Sequence, residues 1–267
     1  MILDKRSASI IWAAARAYLD GRTDWKKVEA HLAGQGNPRK KSMRGVYEQF
    51  LLSLQNRQGM MNSIGGTAHL KPAFFGFSPR QTQVAYGRDW RDLFRAVKAK
   101  CQPPSRMVMS NPRSYWVHFC KGALDGAAWL AQFPRFQDFV DLVDRFAENT
   151  WAAPGLPLML ATEVHGFGFA LACDFLKESG WSQYAKPDTH TTYILSSLGL
   201  SDWSAYATYK AMVRMAALLG ETPYTVDKVL WLIGSGNLYE FEEHFETNKE
   251  EFVRLAEGEL REAGYSV

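Results

Sequence analysis

Apolar residues recur with the period of an α-helix along almost the whole chain, and this pattern limits the fold more than any other feature. Ile10, Ala14, Tyr18 and Leu19 share one helical face, as do Val46, Phe50, Leu51 and Leu54. The same holds for Phe136, Phe139, Val140, Val143 and Phe146, and later for Tyr193, Ile194 and Leu198. Two more sets follow: Tyr209, Val213, Ala216 and Ala217, then Val229, Leu230 and Ile233. Strict two-residue alternation is scarce, and only 106–110 reads as a short extended segment. The expected class is all-α. Clusters of Gly, Pro and polar residues mark loops at 34–42, 72–83 and 101–113. The first of these carries Arg39, Lys40 and Lys41, which can touch phosphate or simply face water.

A chain of 267 residues can bury one large core or two small ones. A net charge of +3 permits a nucleic-acid partner without pointing to one. Cys101, Cys120 and Cys173 are too far apart for a zinc site and too few for an iron–sulfur cluster. Sparse, unpaired cysteines suit a reducing cytoplasm. The first residues include Asp4, Lys5 and Arg6 before a short apolar stretch, so they read as an amphipathic helix and not as a leader. No apolar run reaches the roughly 20 residues that span a bilayer. The expectation is a soluble cytoplasmic chain with no membrane partner. The six histidines show no paired spacing, and no metal site is expected.

One stretch carries chemistry. A helix ending near Val164 is followed by His165-Gly166-Phe167-Gly168 and a second helix from Phe169 to about Lys177. Two glycines let the chain turn sharply and bare backbone N–H groups at a helix start, where the dipole favours an anion. A C-cap glycine in a tight connection reads the same way. Pro187-Asp188-Thr189-His190 then opens another helix, and Asp188 taken alone is a plain N-cap.

Taken together, the two segments resemble the helix-hairpin-helix DNA glycosylases. The hairpin of that family reads hydrophobic-x-Gly-hydrophobic-Gly, as in Val164-His165-Gly166-Phe167-Gly168, and an aspartate follows the second hairpin helix in a Val-Asp-Thr-His motif. Here Pro187 stands in place of the valine. The separation from Ala170 to Asp188 also fits. A looser match is Phe50–Gln58 as a run, whose polar end resembles the early helix that enters the gap left by an extruded base; Gln55 matches, with Asn56 and Arg57 beside it.

The resemblance implies two helical lobes with a central cleft: a middle lobe over about 45–187 with the hairpin at 163–177, and a second lobe from 1–44 plus 188–267. It implies a monomer that binds double-stranded DNA and is nucleoid-associated if bacterial. Gly166, Phe167, Gly168, Phe169, Ala170, Gln55, Asn56, Arg57 and His190 would meet the DNA. Asp188 would stabilise the positive charge that builds on the sugar as the N-glycosidic bond breaks, and would orient or deprotonate water. Strand-nicking relatives carry a lysine where this chain has Ala170, so the implied enzyme is monofunctional and leaves an abasic site. No cofactor is required. Relatives often hold a monovalent cation on the hairpin carbonyls.

An extruded base needs an aromatic surface. Phe74, Phe75 and Phe77 in one loop, with Trp181 and Tyr184 before Asp188, fall outside clean helical periods and are the expected pocket. Which base they would take stays open, and so does a role in repair or in defence against modified phage DNA. Two other readings stand: a non-catalytic helix-hairpin-helix DNA-binding module, and an all-helical interaction protein with a chance hairpin.

Overall fold

The computed structural model describes residues 3–34 and 38–266. Part of the basic loop expected over 34–42 lies outside them. The chain divides into two compact units: Met1–Pro38 with Gly180–Val267, and Arg39–Ser179. Residues 39–44 therefore belong with the middle unit and 180–187 with the terminal one.

The terminal unit opens with α1 (Lys5–Asp20) and α2 (Trp25–Gly34). The middle unit holds α3 (Met43–Gln55), α4 (Met60–Ile64), α5 (Pro79–Tyr86), α6 (Trp90–Lys100), α7 (Tyr115–Ala131), α8 (Phe136–Ala147), α9 (Gly155–Glu163) and α10 (Phe169–Glu178). The terminal unit resumes with α11 (Thr189–Ser197), α12 (Ala205–Leu219), α13 (Pro223–Ser235) and α14 (Lys249–Glu262). A two-residue β-hairpin, Asn237–Leu238 against Glu243–His244, is the sheet found among the described residues. The fold is all-α. The segment 106–110 is not a strand; its backbone is irregular, and no neighbouring strand offers it a ladder.

In the terminal unit, α1 starts on a reciprocal cap: the Asp4 carboxylate accepts the Ser7 N–H at 2.8 Å while the Ser7 hydroxyl accepts the Asp4 N–H at 3.0 Å. Its buried face, Ile11, Ala14, Ala15, Tyr18 and Leu19, packs on α14, α12 and α13. The Tyr18 hydroxyl reaches the backbone at Asn248, donating to its carbonyl at 2.8 Å and accepting from its N–H at 2.8 Å. Helix α11 packs against α13 and α12 through Ile194 and Leu195.

The middle unit is built around α7, whose residues Trp116, Phe119, Cys120, Ala123, Ala127 and Leu130 are buried. Helices α3, α5 and α6 pack on it. Two glycines one turn apart set how closely the neighbours approach. A Cβ at Gly126 would sit 2.1 Å from the Phe50 ring, and one at Gly122 would sit 2.6 Å from the carbonyl oxygen of His165. Phe50 of α3 in turn meets Phe167 with ring centroids 4.6 Å apart and Phe175 at 5.4 Å. Small residues on α7 thus let α3 and the 164–168 connection close onto one aromatic core.

The aromatic loop expected over 72–83 ends in α5, whose first turn is capped by Ser78. Before it, Phe75, Gly76 and Phe77 are all left-handed, with φ of 51°, 63° and 63°. Such a conformation costs non-glycine residues energy. Here it is held by the Arg44 guanidinium, which donates to the carbonyls of Phe75 at 2.9 Å and Gly76 at 3.0 Å.

Candidate nucleic-acid interface and carboxylate

Helices α9 and α10 pack against each other across residues 164–168. Gly166 supplies the positive φ of 72° that lets the chain reverse, and the Phe167 N–H closes the turn on the Val164 carbonyl at 3.2 Å. Phe167 points into the core and is 1% exposed, while Gly166 and Gly168 are exposed. Gly168 is the N-cap of α10 and provides no capping side chain. The start of α10 therefore receives no acceptor from its own N-cap side chain, at the end of the helix where the dipole favours an anion. Phe169 and Ala170 are half-buried there.

The turn is seated by α7. The Asp125 carboxylate accepts the His165 N–H at 2.9 Å, and the His165 ring meets His118 at 2.9 Å between Nε2 and Nδ1. Arg57 also approaches the turn: its Nη1 lies 3.5 Å from where a Gly166 Cβ would stand. Burial holds both histidines below the ordinary value of 6.5, and the nearby Arg57 and Lys121 charges push the same way. Sequence reasoning found Arg57 but not His118, Lys121, Gly122 or Asp125. Nothing in their spacing marks them, because only tertiary packing brings α7 to the turn.

The polar run after α3 divides. Gln55 is fully buried, and its side chain is committed to Gly66: Oε1 accepts the Gly66 N–H at 2.9 Å and Nε2 donates to the Gly66 carbonyl at 3.2 Å. It is a structural clamp, not a group presented at the surface. Asn56 is exposed but donates its side-chain amide at 2.8 Å to Asp174 of α10, a carboxylate that also stands 3.9 Å from the buried Lys177 ammonium. Arg57 is exposed beside the turn.

In the terminal unit, Asp188 caps α11. Its Oδ1 accepts the N–H groups of His190 at 2.9 Å and Thr191 at 3.0 Å. No described residue donates to Oδ2, and the side chain is half-buried. The carboxylate is therefore held by one oxygen and presents the other. The segment before it is pinned, since the Lys186 N–H donates to buried Asp227 at 2.9 Å. His190 rests on α13 at Gly234, where an added Cβ would come within 2.5 Å of the imidazole, and its buried Nδ1 has no partner among the described residues.

The expected aromatic pocket is mostly filled core. Phe74 is fully buried against Tyr47 and Phe119, Phe77 is 2% exposed, and Trp181 and Tyr184 are fully buried in the other unit. Phe75 alone of the five keeps a partly open ring. The loop position of 74–77 suggested exposure, but the left-handed turn folds the chain back so that its aromatic rings serve the core. The open rings lie elsewhere: Trp151, between α8 and α9, is 94% exposed, and Trp203, before α12, is 60% exposed.

Among the described residues there is no group of three or more His, Cys, Asp or Glu side chains placed to hold a metal. The Val164 and Gly168 carbonyls already accept backbone N–H groups, and that of His165 faces Gly122. No helix among the described residues is long and apolar enough to cross a membrane. Cys101, Cys120 and Cys173 are buried free thiols, and complete burial pushes Cys120 far above the ordinary thiol value. Comparison with protein-family models, curated proteins and solved structures gives no match to this chain.

Proposed function

We propose that this chain is a monofunctional DNA glycosylase of the helix-hairpin-helix type, which extrudes a modified base and hydrolyses its N-glycosidic bond. The observation that carries the proposal is the half-engaged carboxylate of Asp188. Two backbone amides fix its orientation, so no reorganisation is needed when positive charge develops on a sugar placed against Oδ2. That oxygen is also available to accept a proton from an attacking water. The 164–168 turn, exposed at Gly166 and Gly168, with no side-chain cap at the start of α10 and Arg57 beside it, supports a grip on strand phosphate through backbone N–H groups. Ala170 in the first turn of α10 supplies no amine, and Lys177 is buried against Asp174 and Glu178, so no lysine of α10 is presented for Schiff-base chemistry.

The test is base release from a panel of modified duplexes, with alkali revealing abasic sites. Wild-type protein should release a base from at least one duplex, and Asp188→Asn should release on the order of 10²- to 10³-fold less. Full activity in that variant would remove Asp188 from the chemistry. A non-catalytic DNA-binding module is the second reading, favoured by the burial of four of the five expected pocket aromatics. DNA binding with no base release from any duplex would select it.

A further inference from the structure

Four groups capable of positive charge converge on the 164–168 turn, from three separate pieces of chain. His165 belongs to the turn, His118 and Lys121 to α7, and Arg57 to the segment following α3. Among the described residues, the acid whose charge acts on His165 is Asp125 of α7, which is already bonded to the His165 N–H. Both histidines are half-buried, and their rings are nearly parallel, 5° apart, with the 2.9 Å nitrogen–nitrogen approach at their edges.

That approach requires one proton between the rings. If His118 Nδ1 carries it, His165 Nε2 accepts and His118 Nε2 is unprotonated. If His165 Nε2 carries it, His118 Nδ1 accepts and His165 Nδ1 is unprotonated. In either tautomer one outer nitrogen is vacant. A proton taken from solvent at that nitrogen converts the pair to imidazolium–imidazole and keeps the inner hydrogen bond, now charge-assisted. A second proton would set two donors face to face and break it. The pair therefore stores one positive charge. In the free protein, burial and the charges of Arg57 and Lys121 oppose that charge.

We propose that His118 and His165 form a phosphate subsite beside the turn, which takes up one proton from solvent when the phosphodiester backbone of a DNA strand binds there. The strand's negative charge offsets Arg57 and Lys121, so protonation that is unfavourable in the free protein becomes favourable in the complex. Linkage then requires the reciprocal effect: affinity for DNA rises as pH falls through the histidine range. This rests on the reading of the turn as a DNA contact, but not on any base being excised.

The experiment is the affinity of the full chain for an unmodified, fluorescently labelled duplex, measured at constant ionic strength between pH 8 and 5.5. Wild-type affinity should rise by up to about tenfold per pH unit within the window where the pair loads, the slope for one proton. His118→Gln and His165→Gln should each flatten that slope. The difference from wild type separates the pair from the chain's other four histidines. Histidine NMR titration of the wild type, free and bound, gives an independent readout, with the midpoint of the pair moving up in the complex. Binding that is equally pH-dependent in both variants, or unmoved midpoints, would overturn the subsite while leaving the turn as a DNA contact. No DNA binding at any pH would overturn both.

Discussion

The starts of α10 and α11 are two solutions to the same problem. Each helix leaves amides without an intrahelical acceptor. At α11 the chain supplies its own anion, the Asp188 carboxylate, and spends one oxygen doing so. At α10 the cap is Gly168, with an extended backbone (φ −69°, ψ 169°) and no side-chain acceptor, beside cationic Arg57. Under the proposed reaction, the start that brings its own acid is the one that offers its second carboxylate oxygen to the sugar. A start with none, set among cations, offers a seat for an anion. The same helix dipole thus serves opposite ends of the proposed reaction.

The sharpest way to break this comparison is at Asp188. Asparagine keeps an oxygen to accept the amides of α11 but removes the charge, so Asp188→Asn should fold with an unchanged melting curve and lose on the order of 10²- to 10³-fold in base release. Next in size is giving α10 the acid that it lacks. Nothing stands within 4 Å of a Cβ at Gly168, and the backbone there suits any residue, so Gly168→Asp fits without strain. It should leave stability unchanged or raise it by a few tenths of a kcal/mol. Affinity for duplex DNA should fall by roughly 10- to 100-fold, the worth of displaced charge-assisted bonds. Unaltered affinity would separate the α10 start from DNA.

The seat itself depends on α7. Gly122→Ala would press a methyl group onto the His165 carbonyl and should cost about 1–3 kcal/mol in chemical denaturation while weakening DNA binding. Asp188→Ala removes the cap of α11 as well as the charge and should destabilise by about 1 kcal/mol, which Asp188→Asn should not. The smallest effect is acid sensitivity of the middle unit. His69, His118 and His165 are held below 6.5, chiefly by burial. The unfolded chain therefore takes up protons first as pH falls through about 6.5, and stability present above that value is lost on the way down to the folded values. The protection of α7 and α10 amides, taken relative to intrinsic exchange at each pH, should fall over that interval, and His118→Gln should reduce the change.

Much of this was legible in the residues because it is local. A 3.6-residue apolar period specifies a helix whatever it packs on, and glycine at 166 and aspartate at 188 announce a sharp turn and a helix cap through their own backbone and hydrogen-bonding chemistry. What side chains do across space was not legible. Phe74 and Phe77 looked like an open loop until the left-handed turn at 75–77 directed them inward, and Gln55 looked presentable until Gly66 closed on it. The histidine pair joins residues 47 apart in the chain, and Gly122 matters only because the turn lies on it. Local propensity acts over a few bonds. Burial and pairing depend on which distant surfaces meet, and only the folded chain decides that.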